Sequence, residues 1–179
     1  TLAKAPGKLL HIPTVAGAVV VTYNLPGSPK LKLDGALIAD IFLGRITRWN
    51  DQRILELNSG VSLPAQDIVV VHRSDGSGTS YIFTDYLSNV SKTWETTVGC
   101  NTSVKWPVGL GAKGNEGVAG QIKQLPGTIG FLELAYAHQN KLSFADVRNA
   151  HGKFVTPSPK SITEGQVTAH IPEAFPFSK

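Results

Sequence analysis

The residues of this 179-residue chain best placed to do chemistry are Arg73-Ser74-Asp75-Gly76-Ser77-Gly78-Thr79-Ser80. They follow the apolar run IVVV at 68–71, which predicts a central strand buried on both faces. They precede Ile82, Phe83, Tyr86, Leu87 and Val90, whose helical spacing predicts a helix over about 79–89. Open α/β sheets bind ligands where a strand ends and a helix opens. The first N–H groups of a helix lack internal partners and carry the positive end of its dipole, so an anion is stabilised there. Gly76 and Gly78 let the backbone approach a ligand, Ser77 and Thr79 add hydroxyl donors, and Arg73 offers a planar fork for two oxygens of a tetrahedral oxyanion. Asp75 could hold that guanidinium by an ion pair; it could also repel a second anion. The plainer alternative makes Ser77 an ordinary helix cap and Arg73 a surface residue paired with Asp75. An Arg and an Asp directly after a buried strand favour the anion site.

Near matches to enzyme motifs fail at particular residues. Gly76-Ser77-Gly78 is not a nucleophile elbow, because GxSxG needs glycine two residues before the serine and Asp75 stands there. Gly109-Leu110-Gly111-Ala112-Lys113-Gly114 spells GxGxxG, with Glu133 at nearly the distance of a ribose contact. The preceding residues 104–107 make a weak strand, and Pro107 argues against a central one. The same stretch imitates a nucleotide phosphate loop, but Asn115-Glu116 replaces the required Lys and Ser or Thr. Serine hydrolysis, dinucleotide binding and nucleotide hydrolysis are all disfavoured.

Upstream of this segment, residues 15–24 are rich in β-branched side chains and end at Leu25-Pro26-Gly27-Ser28-Pro29, predicting a buried strand and a turn. Residues 34–43 predict a short helix with an Asp34 cap, stopping at Gly44, and 51–58 a second. Trp49 is expected in the core or at its rim. Arg45, Arg48 and Arg53 read as a solvated helix face. Downstream, a glycine-rich stretch over 108–120 leads into a helix at 116–124, a strand at 128–132, a short helix at 134–140 and a hairpin over 147–155 around His151-Gly152. The Pro-rich tail beyond Thr156 reads as loop or partial helix. Strands alternating with helices give an α/β class with a mostly parallel or mixed sheet.

At about 150 residues per domain, 179 residues make one compact domain. The chain is 41% hydrophobic and 17% charged, which supplies a core and makes intrinsic disorder a poor explanation. A net charge of +4 suits an anionic partner but falls short of a polybasic nucleic-acid binder, so no nucleic acid is expected. The single cysteine, Cys100, excludes an intrachain disulfide and a cysteine zinc site and leaves the redox compartment undecided. His11, His72, His138, His151 and His170 show no HxxxH or HExxH spacing, so neither metal nor cofactor is expected. No run of 18 apolar residues exists to span a membrane. A start at Thr1 and the absence of methionine suggest a processed, trimmed or excised product whose export signal has gone. The sequons at Asn89 and Asn101 are read as chance.

The segment HRSDGSGTSYIFTDYL resembles the phosphate-loop segment of the periplasmic phosphate-binding proteins of Pst-type ABC transporters. Its flanks agree. DGALIADIFLGRITRWND is similar to that family's helix and tryptophan segment, VKWPVGLGAKGNEGVAGQIKQLPGTIGFLELAYA to its glycine loop with the following strand and helix, and HIPTVAGAVVVTYNLPG to its crossover strand. The similarity runs over roughly 10–157. It implies one lobe of a type II periplasmic binding protein, a central mixed or parallel sheet flanked by helices, with the anion held between two lobes. It carries the phosphate contacts to Arg73, Ser77, Gly78 and Thr79, and the Arg-anchoring role to Asp75. It implies inorganic phosphate as ligand, a membrane permease as partner, a periplasmic setting and no catalysis.

Against that family, residues 1–179 correspond to the second lobe alone. The first lobe, with its own anion loop and the Asp that accepts the phosphate proton, has no counterpart, so the chain reads as a truncated fragment with half the ligand contacts and weak affinity. Asp75 is the only carboxylate expected beside the loop; once paired with Arg73 it has little acceptor capacity, so sulfate and phosphate are expected to bind alike. Two further functions stand beside phosphate reception. One is a phosphate-ester enzyme with Ser77 as nucleophile, against which His72, the only nearby imidazole, faces away from Arg73 if the strand continues that far. The other is an interaction module that has lost its ligand.

Overall fold

A computed structural model of the chain describes residues 17–168. The start of the predicted first strand at 15–16, His11, His170 and the end of the tail lie outside the described residues. In chain order the elements are β1 (Val19–Tyr23), β2 (Lys32–Leu33), α1 (Gly35–Phe42), α2 (Gln52–Leu57), β3 (Val69–Arg73), α3 (Gly78–Val90), α4 (Lys92–Thr97), β4 (Leu110–Ala112), α5 (Gly114–Gln124), β5 (Thr128–Glu133), α6 (Leu134–Asn140), β6 (Ser143–Phe144), β7 (Asp146–Arg148), β8 (Phe154–Val155) and α7 (Pro159–Thr168).

The main sheet has five strands in the order β4-β3-β5-β1-β6. β3 runs parallel to both β4 and β5, while β1 is antiparallel to β5 and β6, so the sheet is mixed. Alternation along each strand puts one set of side chains on each face. Val21, Tyr23, Val70, Ile129 and Phe131 join α1 and α3 in one buried cluster. Val20, Val71 and Leu132 join α5 and α6 in the other. Both faces are therefore covered, which is why the strands read as continuous apolar runs. Phe131 is fully buried and stacks on Phe83 of α3 at 4.2 Å between ring centroids. Full burial of such a side chain stabilises the fold by roughly 1.5–3 kcal/mol.

The predicted hairpin is present: β7 and β8 pair antiparallel, Val147 opposite Val155, and β2 joins β7 in a second, three-stranded sheet. Asp34 caps α1 by accepting from the Leu37 N–H, and Asp51 caps α2 by accepting from the Arg53 N–H. Trp49 is fully buried and donates its indole N–H to the Gly127 carbonyl at 2.9 Å, giving the one polar atom of a buried ring a partner. The three arginines do not share a helix face. Gly44, at φ +72°, ends α1, and Arg45 and Arg48 lie in the connection to α2, where Arg48 bridges to Asp67. All three are exposed and paired, Arg45 and Arg53 with Asp40, and Arg53 also with Asp51.

Candidate functional site

β3 ends at Arg73, and the chain turns through Ser74–Gly76 into Ser77, the N-cap of α3. The sequence folds this way because three parallel strands, β4, β3 and β5, end together, and a helix start after β3 needs a capping oxygen. Ser77 Oγ accepts from the Ser80 N–H at 3.3 Å, and the Ser77 N–H donates to the Thr102 carbonyl at 2.9 Å. Ser77 is both cap and anchor, leaving its hydroxyl hydrogen free for another partner. The Gly78 and Thr79 N–H groups have no partner among the described residues, as the first turn of a helix requires. Built onto Gly76 or Gly78, a Cβ atom would meet nothing within 4 Å. Thr79 is buried.

Arg73 and Asp75 form a two-point pair: Nε donates to Oδ1 at 2.8 Å and Nη2 to Oδ2 at 2.6 Å. The Gly114 N–H, at the start of α5, also donates to Asp75 Oδ1 at 3.1 Å. The guanidinium first, and this amide second, hold the Asp75 carboxyl well below the usual carboxylate range. The hydrogen bonds to Asp75 push the Arg73 pKa up. The Arg73 side chain is only 10% exposed, so its direction is fixed. Its remaining nitrogen, Nη1, reaches toward Asn115 Oδ1 at 3.5 Å.

Glu133, the last residue of β5, stands beside the loop. Its Oε1 accepts from Thr79 Oγ1 at 3.3 Å and from Asn115 Nδ2 at 3.2 Å. Asp75 is therefore not the only carboxylate beside the loop, which corrects the expectation drawn from sequence; β5 next to β3 brings a residue 54 positions away into contact. Asn115 and Glu133 are the site members that sequence reasoning missed. The GxGxxG stretch supplied the one available signal, since it paired Glu133 with residues 109–114, although for a nucleotide contact that the geometry does not make.

Arg73, Gly76, Ser77, Gly78, Thr79, Asn115 and Glu133 line one cleft of about 470 Å³, with Ile82 and residues 17–19 on its far wall. A larger apolar groove of about 510 Å³ adjoins it along Val19, Val21, Ile82, Phe83, Tyr86 and Ile162. His72 lies on the opposite face of β3 from Arg73, stacked on Trp106 at 4.9 Å, with Nδ1 3.1 Å from the Arg73 carbonyl oxygen. Burial pushes its pKa down. No group of three or more potential metal ligands exists among the described residues, and no helix among them is long and apolar enough to cross a membrane. The cleft can present backbone N–H groups, one guanidinium and hydroxyls to a small oxyanion.

The chain is 49% identical over 167 residues to the phosphate-binding protein PstS of Pasteurella multocida, covering 92% of this chain and 48% of that protein. It is 46% identical over 174 residues to PstS of Methanocaldococcus jannaschii, covering 91% and 45%. It thus spans about half the length of the curated relatives it matches. Among solved structures, the high-affinity periplasmic phosphate-binding protein PfluDING, bound with phosphate, superposes with a TM-score of 0.67 at 25% identity over 91% of this chain and 46% of that one. An ABC-type phosphate transport receptor from Vibrio cholerae shares the fold, with a TM-score of 0.59 at 17% identity over 84% and 52%. The family model of the PBP superfamily domain matches residues 2–176, and with the mixed α/β sheet and its loop-to-helix cleft this places the chain in the PBP superfamily.

Proposed function

We propose that this chain binds inorganic phosphate as one lobe, the second, of the substrate-binding component of an ABC phosphate importer. Arg73, Ser77, Gly78 and Thr79 contact the anion, and Asp75 holds the Arg73 fork in place. The observation that carries the reading is the Arg73–Asp75 pair fixed at the edge of a cleft into which the unpartnered Gly78 and Thr79 N–H groups open. The 49% identity to PstS supports phosphate as the ligand. The remaining contacts come from a first lobe, a membrane permease receives the cargo, and the setting is periplasmic; the half-length match to the relatives and the apolar groove beside the cleft support a second body of polypeptide there.

The geometry favours binding over catalysis. Ser77 Oγ is the acceptor of a helix cap, and the His72 imidazole is stacked on Trp106 on the other face of β3, so His72 does not stand ready to take a proton from that hydroxyl. The test is Arg73→Lys, followed by phosphate titration of the Gly78 and Thr79 amide shifts. Lysine keeps the charge and loses the two-point fork, and hydrogen bonds to charged groups contribute about 1.5–3 kcal/mol. Affinity falls at least about tenfold. Unchanged affinity removes Arg73 from the site and overturns the reading.

A further inference from the structure

We infer that Thr84 is a positioning residue for the anion loop: its hydroxyl braces residues 99–103 against α3, and that segment in turn decides which N–H groups at the start of α3 are left for the cleft. The inference rests on the anion-binding reading above, and it places Thr84 behind the site, touching no anion. A helix leaves its first four N–H groups without internal acceptors, here those of Ser77, Gly78, Thr79 and Ser80. Two of the four are taken. The Ser80 N–H donates to Ser77 Oγ at 3.3 Å, which is an ordinary N-cap, and the Ser77 N–H donates to the Thr102 carbonyl at 2.9 Å. This second bond comes from the irregular segment after α4. It engages Ser77, so the Gly78 and Thr79 N–H groups are the two that remain for an anion.

Two buried side chains hold the segment that carries the Thr102 carbonyl. Trp94, fully buried in α4, donates its indole N–H to the Gly99 carbonyl at 3.0 Å, and Gly99 takes φ +77° as the chain leaves that helix. Thr84, fully buried in α3, accepts from the Asn101 N–H at 3.2 Å, while its own hydrogen goes to the Ser80 carbonyl, its nearest acceptor, at 2.8 Å. A threonine inside a helix commonly returns its hydrogen to the carbonyl four residues back, which alone positions nothing. Acceptance from a residue 17 positions away makes the difference, because a hydroxyl can give and receive at once. Asn101 Oδ1 also accepts from the Thr102 N–H at 2.7 Å, which ties Thr102 to the residue that Thr84 holds. The contacts thus run from Thr84 through Asn101 and Thr102 to Ser77, and of these four only Ser77 lines the cleft.

The 179-residue chain, Thr84→Val, Thr84→Ser and Thr128→Val are each titrated with inorganic phosphate well below their thermal midpoints, read by the Gly78 and Thr79 amide shifts, and the Ser77 amide proton is recorded before phosphate is added. Valine keeps the shape of threonine but can neither give nor accept. In T84V the Asn101 N–H loses its acceptor, the Ser77 amide signal moves upfield as its bond to Thr102 lengthens, and affinity falls about tenfold, the factor one ordinary hydrogen bond gives. Serine keeps the hydroxyl, so T84S restores the Ser77 signal and brings affinity back to within about twofold. T128V removes an equally buried hydroxyl at the far end of β5 from the cleft and leaves both readouts unchanged, which separates loss of position from loss of stability. Should T84V not fold, Asn101→Ala is the second variant: Asn101 is exposed, its removal frees the Thr102 N–H, the Ser77 signal moves the same way, and affinity falls about threefold. Unchanged affinity in T84V, or in N101A where T84V does not fold, overturns the inference, as does a T84S or T128V variant as weak as T84V; each leaves the proposed function standing. Absence of any phosphate shift at Gly78 and Thr79 in the unsubstituted chain overturns both.

Discussion

Two glycine loops lie side by side at the ends of the parallel strands β3 and β4, and they use glycine for opposite purposes. In the loop after β3, Gly76 and Gly78 border open space, so the missing side chains leave a cleft. In the stretch around β4, the missing side chains are filled by neighbours. A Cβ on Gly109 would lie 2.6 Å from the Val70 carbonyl oxygen, and one on Gly111 would lie 3.1 Å from Ser74 Cβ. Gly109 and Gly114 also hold φ +112° and +71°, conformations that L side chains rarely adopt. The helix starts differ in the same sense. Ser77 caps α3 with its side chain, whereas Lys113 gives α5 no side-chain cap, and the Gly114 N–H donates to Asp75 of the first loop. The second loop is thus a buttress for the first. A glycine motif reports close approach of backbone to something; which something is decided by the neighbours.

The contrast is tested most severely at Gly109 and Gly76. Gly109→Ala combines an unfavourable φ with a clash against the backbone of β3, each costing about 1–3 kcal/mol. A loss of about 3 kcal/mol is expected, which for a chain of this size lowers the thermal midpoint by roughly 6–12 °C. Gly76→Ala meets open space at ordinary φ and shifts stability by less than about 0.5 kcal/mol. Thermal unfolding of the two variants checks both figures, and equal destabilisation would dissolve the distinction between the loops.

A smaller effect tests the link between them. Asp75 accepts from Arg73 and from the Gly114 N–H, and both favour its ionised form. Its folded pKa lies below the ordinary 3.8, so its stabilising contribution is present above that value and is lost only as pH falls through the lower, folded one. The Gly114 amide shift should therefore hold steady while ordinary aspartates protonate, then move at more acid pH. Asp75→Asn abolishes that late movement. A midpoint at the ordinary value would show that the two loops are not joined through this carboxylate.

What the sequence revealed of this pair follows from distance along the chain. The strand, loop and helix from Val69 to Val90 were legible because the apolar run, the cap and the helical spacing are all local. The Arg73–Asp75 pair was legible for the same reason, its members being two residues apart. Asn115 and Glu133 lie 42 and 54 positions from Arg73 and Thr79, and only the strand order β4-β3-β5 brings them to the cleft. Pro107 pointed correctly away from a central strand, since β4 begins three residues later and lies at the sheet's edge. β2 and β6 are two residues each, too short to show any period, and α4 carries one buried residue, Trp94, among polar neighbours. Arg45, Arg48 and Arg53 misled because charge spacing resembles a helix face whether or not Gly44 has already ended the helix.

The smallest expected effect concerns His72, which couples β3 to the packed loop rather than to the cleft. It pairs in register with Gly111, stacks on Trp106, and has its pKa lowered by burial, with the contact to the Arg73 carbonyl opposing that shift. A folded pKa below the ordinary 6.5 means that the unfolded chain binds the proton more readily. The contribution of the neutral ring is complete above pH 6.5 and declines as pH falls from there toward the folded value, below which both states are protonated and no further loss accrues. His72→Phe keeps a flat ring on Trp106 and removes the titration. Its denaturant midpoint should change less than that of the unsubstituted chain across this window, while phosphate affinity is retained because the ring lies on the opposite face of β3 from Arg73. A pH dependence unaltered by the substitution would assign the decline to another group; a large loss of affinity would place His72 in the cleft and break the division between an open loop proposed to bind the anion and a packed loop that supports it.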